Sequence, residues 1–198
     1  MRAETAEERG TTLLAIARES LAAALGLGAE SPRDEPWLRE PGATFITLRE
    51  RGDLRGCVGT IRAWRPLLDD VRSNARAAAF SDTRFPPVQA WEYREISMEV
   101  SLLSPCEPCE FGCEEEALAQ LRPGVDGIVF EYRERRSTFL PQVWEQLPDP
   151  WEFLAHLKRK AGLPPAFWDA DVKLWRYTVT KWVESEAPAP ARGGTGAP

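Results

Sequence analysis

Residues 44–61, "TFITLRERGDLRGCVGTI", constrain the fold more than any other stretch. Two runs of β-branched, apolar and small residues flank Arg51-Gly52-Asp53, and in each run every second residue is of like character. That pattern predicts a β-hairpin with strands over 44–49 and 54–61. Successive side chains of a strand point to opposite faces. Leu54, Gly56, Val58 and Thr60 therefore share one face, and Arg55, Cys57 and Gly59 the other.

The remaining periodicities are compatible with such a sheet. Residues 95–103 alternate, with Ile96, Met98, Val100 and Leu102 against Ser97, Glu99 and Ser101. "DGIVFEYRERRSTFL" reads as a second hairpin turning near Glu134-Arg135, and 172–183 as a last strand. A helix is predicted over 5–25, where Thr5 and Glu8 form a capping box. Leu14, Ala17, Leu21 and Leu25 recur there at helical spacing, and Gly26 and Gly28 stop the helix. Pro66 opens an alanine-rich helix whose first turn holds Asp69 and Asp70, where acids suit the helix dipole. Shorter helices are predicted over 114–121 and 150–161, and the Pro/Gly/Ala-rich tail 185–198 is predicted to be disordered. Strands outnumber helices and connect mostly by hairpins and irregular loops. The class is α+β: a largely antiparallel sheet with flanking helices.

With 198 residues, 43% apolar and 28% charged, the chain has the composition of a soluble globular protein. The longest mostly apolar helix carries Arg18 and Glu19, so no membrane span is expected. "MRAETAEERG" has no apolar leader core, and the expected compartment is the cytoplasm. A net charge of −6 argues against non-specific nucleic-acid binding. Arg49, Arg51, Arg55, Arg62 and Arg65 nevertheless crowd one segment, either from a general bias toward arginine or as a pocket for a small anion.

The four cysteines do not suggest a disulfide scaffold. Cys106, Cys109 and Cys113 have ligand-like spacing, but they supply three thiols where structural zinc takes four ligands. A metal site, a redox-labile Cys106–Cys109 pair and a plain surface loop all fit, and no metal site is assigned. No glycine-rich phosphate loop follows a strand and no pair of histidines stands at ligand spacing, so nucleotide hydrolysis has no support and the sequence names no cofactor, which stays unknown.

Five stretches, in order, resemble one family. "DLRGCVGT" is similar to the "LRGCIG" hallmark of the AMMECR domain, also called protein A of the AmmeMemoRadiSam system. "NARAAAFSDTRFPPV", "EISMEVSLLSPCEP", "GVDGIVFEYRERRSTFLPQVWEQ" and "FLAHLKRKAGLPPAFW" resemble further blocks of that family, and together they span roughly 42–182. The resemblance implies one two-lobed domain over 1–184, a main lobe and a smaller one, with "RGCVG" lining a cleft. It also implies association with Memo-like and radical-SAM proteins. It assigns no reaction.

Within that frame the residues carry several readings. Cys57 is either a nucleophilic or redox thiol, a small residue in a tight strand crossing, or a ligand contact without covalent chemistry. Arg55, on the same face, would favour the thiolate. Gly56 and Gly59 leave room for another backbone or for a ligand. The single histidine, His156, reads as an ordinary helix residue. Glu99, between two serines, is either solvated or a cleft acid or base. Asp82 and Arg84 cap and pair, or touch ligand in the family's shared loop. Thr138 and Gln142 offer neutral hydrogen-bonding groups. The expected function is a small-molecule-binding protein or cysteine-dependent enzyme centred on Cys57. The alternatives are a non-catalytic interaction module and, less favoured, a nucleic-acid-binding regulator.

Overall fold

The computed structural model describes residues 4–184, so the tail assigned to disorder lies outside the described residues. The chain forms two compact units. Among the described residues, one holds 4–100 and 181–184, and the other holds Ser101–Thr180.

In the first unit, α1 (Ala6–Ala24) begins at the expected capping box: Thr5 N–H donates to Glu8, and Glu8 N–H donates to Thr5 Oγ1. Its buried stripe is Leu13, Ile16, Ala17, Ser20 and Leu21, one position round from the Leu14-based stripe read in the sequence. Gly26, at φ 72°, ends it, with Leu27 N–H reaching back to Ala22 O. Strand β1 (Pro41–Gly42) precedes the hairpin of β2 (Thr44–Glu50) and β3 (Asp53–Gly59), and β4 (Arg65–Pro66) pairs back with β1. The hairpin turns on Arg51 and Gly52, both at positive φ.

Helix α2 (Leu67–Phe80) packs its alanine side against this hairpin. Asp70 does more than face the helix dipole. It is fully buried and accepts from Thr44 N–H, Thr44 Oγ1, Arg65 Nε and Asn74 Nδ2 at 2.7–2.9 Å. Every charge taken from water there has a partner, as burial requires. Strand β5 (Ile96–Leu103) joins β2 and the last strand, β10 (Val179–Val183), giving a four-stranded sheet in the order β10-β5-β2-β3.

The second unit carries its own four-stranded sheet, in the order β6-β9-β7-β8. Its strands are β6 (Glu107–Pro108), β7 (Gly127–Tyr132), β8 (Arg135–Phe139) and β9 (Lys173–Tyr177), with helices α3 (Glu114–Gln120) and α4 (Pro150–Lys160). The core is aromatic: Trp144 stacks on Phe153 with centroids 3.7 Å apart, and Phe139 meets Phe153 edge-on. The second hairpin turns one residue earlier than expected, at Arg133-Glu134, where Arg133 sits at φ 53°.

The single strand expected over 172–183 is two. β9 ends at Tyr177, and β10 (Val179–Val183) joins the other sheet. Thr178 breaks the run because Ser104 claims its backbone: Thr178 N–H donates to Ser104 Oγ, and Ser104 N–H donates to Thr178 O. No helix among the described residues is long and apolar enough to cross a membrane.

Candidate functional site

Strand register decides which side chains meet Cys57. Phe45 pairs with Gly59, Ile46 with Val58, Thr47 with Cys57 and Leu48 with Gly56; then the ladder slips, and Arg49 pairs with Leu54. Arg55 is the extra residue of a β-bulge. Ile46, Leu48 and Gly56 lie on the helix side, where Ile46 and Leu48 are fully buried. A Cβ on Gly56 would stand 2.1 Å from the backbone oxygen of Ala78 in α2. Phe45, Thr47, Arg49 and Cys57 occupy the opposite, half-exposed side.

The bulge corrects the expected faces. Leu54 falls opposite Arg49, on the Cys57 side, and Arg55 leaves the alternation altogether. The Arg55 guanidinium is engaged elsewhere: Nε and Nη2 donate to the two Glu92 carboxylate oxygens, at 2.7 and 3.2 Å, and Nη1 donates to Pro86 O. The cation at Cys57 is Arg84. The glycine readings resolve as well. Gly56 admits the backbone of α2, and a Cβ on Gly59 would stand 2.2 Å from the Phe45 ring, so at both positions close packing explains the glycine.

Cys57 is gripped from its backbone. β3 is the sheet's edge, and Cys57 sits at a non-hydrogen-bonded position of the ladder, so its N–H and C=O point away from β2. Asp82 Oδ2 accepts the N–H at 2.8 Å, and Arg84 Nη2 donates to the C=O at 3.4 Å. Arg84 in turn donates to Asp82 through Nε and Nη2, at 2.9 and 2.6 Å. Carboxylate and guanidinium together present one acceptor and one donor, as a neighbouring strand would, which also blunts an exposed edge. The Arg84 hydrogen bonds, with smaller help from the Cys57 and Arg84 N–H groups, outweigh burial and hold the Asp82 carboxyl well below the usual carboxylate range. Asp82 raises Arg84 in return. The Asp82 side chain is 7% exposed and that of Arg84 57%, so the pair shows its guanidinium to solvent.

The Cys57 sulfur accepts from Thr47 Oγ1 at 3.4 Å. From there a polar row crosses the sheet. Arg49 Nε donates to Glu99 Oε1 at 2.5 Å, and Lys181 Nζ lies 3.5 Å from Glu99 Oε2. Glu99 is thus buried between two cations. Cys57 and Arg49 are diagonal neighbours across the hairpin, roughly 7–8 Å apart by strand geometry.

The arginine-rich segment is neutralised almost residue by residue. Arg49, Arg51, Arg55 and Arg65 pair with Glu99, Glu95, Glu92 and Asp70, and Arg62 is exposed. That removes the unopposed basic footprint a nucleic-acid reading needs. It also takes the support from an anion pocket built on this segment. Three of the carboxylates, at 92, 95 and 99, run opposite in order to arginines 55, 51 and 49, a complementarity that was present in the sequence. Thr47 was not legible, since a regular ladder from the Arg51-Gly52 turn would set it opposite Gly56, and only the bulge moves it to Cys57. Lys181 gave no local signal.

Thr138 and Gln142 belong to the second unit. Thr138 is buried: its hydroxyl donates to Ile128 O and lies 3.0 Å from Tyr177 Oη. Burial pushes the Tyr177 phenol up to about 12. Gln142 is exposed, in the short helical turn Pro141–Glu145, and His156 lies half-buried on α4. Cys106 and Cys109 flank β6 in an extended run along β9, which separates their Cα atoms by roughly 10 Å, beyond disulfide reach. Burial raises the Cys109 thiol. Among the described residues no three His, Cys, Asp or Glu side chains converge to hold a metal ion.

An α+β chain with a bulged edge strand clamped by an aspartate–arginine pair is therefore the class this geometry defines, and its fold has a counterpart among solved structures. A crystal structure of the uncharacterised protein PH0010 from Pyrococcus horikoshii superposes with a TM-score of 0.77 at 34% identity, covering 89% of this chain and 92% of that one. The AMMECR1 family profile matches residues 14–182. A protein of Methanothermobacter thermautotrophicus is 37% identical over 180 residues, 88% of this chain and 94% of the relative. One of Thermotoga maritima is 39% identical over 155 residues, 77% and 83% of the two chains. The chain belongs to the AMMECR1 family.

Proposed function

We propose that the Cys57 side of the β10-β5-β2-β3 sheet binds a small molecule, with the Cys57 sulfur as its floor contact. The observation that carries this reading is the grip on Cys57. Asp82 and Arg84 hold both backbone polar groups of one residue, and Cys57 is left half-buried with its side chain on the side away from α2. Beyond blunting the edge, the charged pair fixes the position of this one cysteine. The polar groups around it, Thr47, the Arg49–Glu99–Lys181 row and the free edge of Arg84, suit a ligand with hydrogen-bonding groups and at most a modest negative charge. Thiol-dependent catalysis is the enzymatic form of the same proposal, with Cys57 in contact with the reacting group and Glu99 as the nearby acid or base.

Native-state alkylation tests it. Iodoacetamide at neutral pH is expected to label Cys57 at least as fast as exposed Cys106, and much faster than Cys109, when each peptide is quantified by mass spectrometry. A Cys57 that stays unlabelled in the folded protein while Cys106 reacts would sink the reading.

A second reading, docking of a protein partner, is favoured by two exposed tryptophans, Trp64 and Trp91, at 68% and 69%. Aromatic side chains held at a surface are common binding anchors. The resemblance makes a Memo-like or radical-SAM protein the partner to try. Co-purification that survives Cys57→Ala but fails after Trp91→Ala or Arg84→Ala would favour it.

A further inference from the structure

The fork on Cys57 is carried by a loop, and that loop needs an anchor of its own. The Asp82–Arg84 pair is largely solvent-facing on the arginine side, and exposed ion pairs restrain little. The loop touches β3 a second time, through Arg55. Because the bulge takes Arg55 out of the ladder, its guanidinium reaches Pro86 O at 2.9 Å and both carboxylate oxygens of Glu92. Glu92 then accepts Gln89 N–H at 2.6 Å, and Val88 N–H donates to Ala79 O at the end of α2. Segment 86–92 is thereby pinned two residues after Arg84.

The pinning pair is desolvated, with side chains 11% and 5% exposed. Burial by itself would raise the Glu92 carboxyl, but hydrogen bonds from Arg55 and Gln89 hold it below its ordinary value. A buried pair of this kind resists opening, since separating it strands a charge away from water.

We propose that Arg55 and Glu92 are positioning residues for the Cys57 site: their pair seats the 82–89 loop so that Asp82 reaches the Cys57 N–H and Arg84 its carbonyl. The functional consequence rests on the Cys57 reading above, but the structural coupling does not. Neither residue touches the sulfur. Both act through the loop.

Amide hydrogen exchange by NMR on the full chain tests the coupling. Asp82→Asn is the direct reference, because it weakens the acceptor of the Cys57 N–H. Glu92→Gln is expected to speed exchange of the Cys57 amide at least tenfold, while the Thr60 amide, which donates to Thr44 O at 2.8 Å, keeps its rate. Arg55→Lys keeps the charge but loses the fork, and should fall between the parent and Glu92→Gln. It also carries the comparison if Glu92→Gln does not fold. An unchanged Cys57 amide in a folded variant overturns the proposal. So does equal acceleration at Thr60, which would mean the pair only holds the fold together. Iodoacetamide labelling separates the two proposals. If the Cys57 amide loosens but its sulfur is inert in every variant, the coupling stands and the site reading fails. If the sulfur is reactive but the amide ignores Glu92→Gln, the reverse holds.

Discussion

Two hairpins of the same chain solve the same problem differently. Both β2–β3 and β7–β8 turn on an arginine at φ 53°, Arg51 and Arg133, and both end in the edge strand of a four-stranded sheet. The β7–β8 ladder runs without a slip from Ile128↔Phe139 to Tyr132↔Arg135. Its edge is covered by α4: Ser137 Oγ donates to Leu157 O, and Lys160 Nζ donates to Thr138 O. The β2–β3 ladder slips at Arg55, and its edge is covered by side chains of a loop. A regular register puts polar residues such as Thr138 to use in packing. One inserted residue frees a guanidinium to hold a loop, and the loop brings a carboxylate and a second guanidinium onto a cysteine. The difference teaches that the site is a product of the bulge, since the residue types on the two hairpins are much alike.

The harshest way to break this comparison is to add one methyl group to each hairpin. Gly56→Ala drives a Cβ to 2.1 Å from the Ala78 carbonyl oxygen, a backbone atom that cannot rotate away. The expected loss is about 3 kcal/mol of unfolding free energy or more, at the upper end of overpacking effects. Gly127→Ala meets the Tyr177 ring at 2.4 Å, a side chain that can tilt at the expense of its hydrogen bonds, and should lose about 2 kcal/mol. Urea unfolding measures both. A Gly56→Ala protein as stable as its parent would show that α2 is not seated on β3 as described.

Removing one hydrogen-bonding group from each edge gives a smaller effect and adds a pH signature. Asp82→Asn keeps an oxygen for the Cys57 N–H but loses the charge that Arg84 grips, and about 1–2 kcal/mol should go at neutral pH. Because the folded carboxyl titrates below its unfolded counterpart, its contribution is complete above the unfolded value near 4 and fades as pH falls from there through the folded one. The gap between parent and Asp82→Asn should therefore be widest at pH 6–7 and narrow below about 4. Thr138→Val removes the hydroxyl that donates to Ile128 O and should lose about 1 kcal/mol, the same at each pH over that range. A gap for Asp82→Asn that stays flat down to acid would remove the carboxylate from the grip on Cys57.

The sequence was most informative where local rules act alone. Capping, helical spacing and turn residues located α1, α2, α4 and both hairpins, because each depends on neighbours within a turn or two. The α+β class follows from those elements, but the pairing of Thr47 with Cys57 does not, because it exists only after the ladder slips at Arg55. The site was legible only in part. Cys57, Asp82 and Arg84 were marked by their motifs, but Arg55 was placed on the wrong partner, because a bulge shifts the alternation by one residue without any change in composition. Thr138 looked available for a ligand because its satisfaction by Ile128 and Tyr177 depends on a partner 39 residues away. The split at Thr178 had the same cause, a side chain 74 residues distant.

The finest test concerns the turns, where the two hairpins are most nearly the same. A non-glycine residue in the left-handed region is strained by roughly 1 kcal/mol, which glycine relieves, although glycine also gives the unfolded chain more freedom. At Arg51 the competing interaction is an exposed ion pair with Glu95, worth little in water. Arg51→Gly should then stabilise by about 0.5 kcal/mol. Arg133 lies over the Tyr132 ring at 5.0 Å, a contact worth about 0.5–1 kcal/mol at an exposed site, so Arg133→Gly should come out near zero. Matched urea midpoints decide it. If the two substitutions shift stability equally, the turns contribute nothing to the contrast, and the whole difference between the hairpins falls to the residue inserted at Arg55.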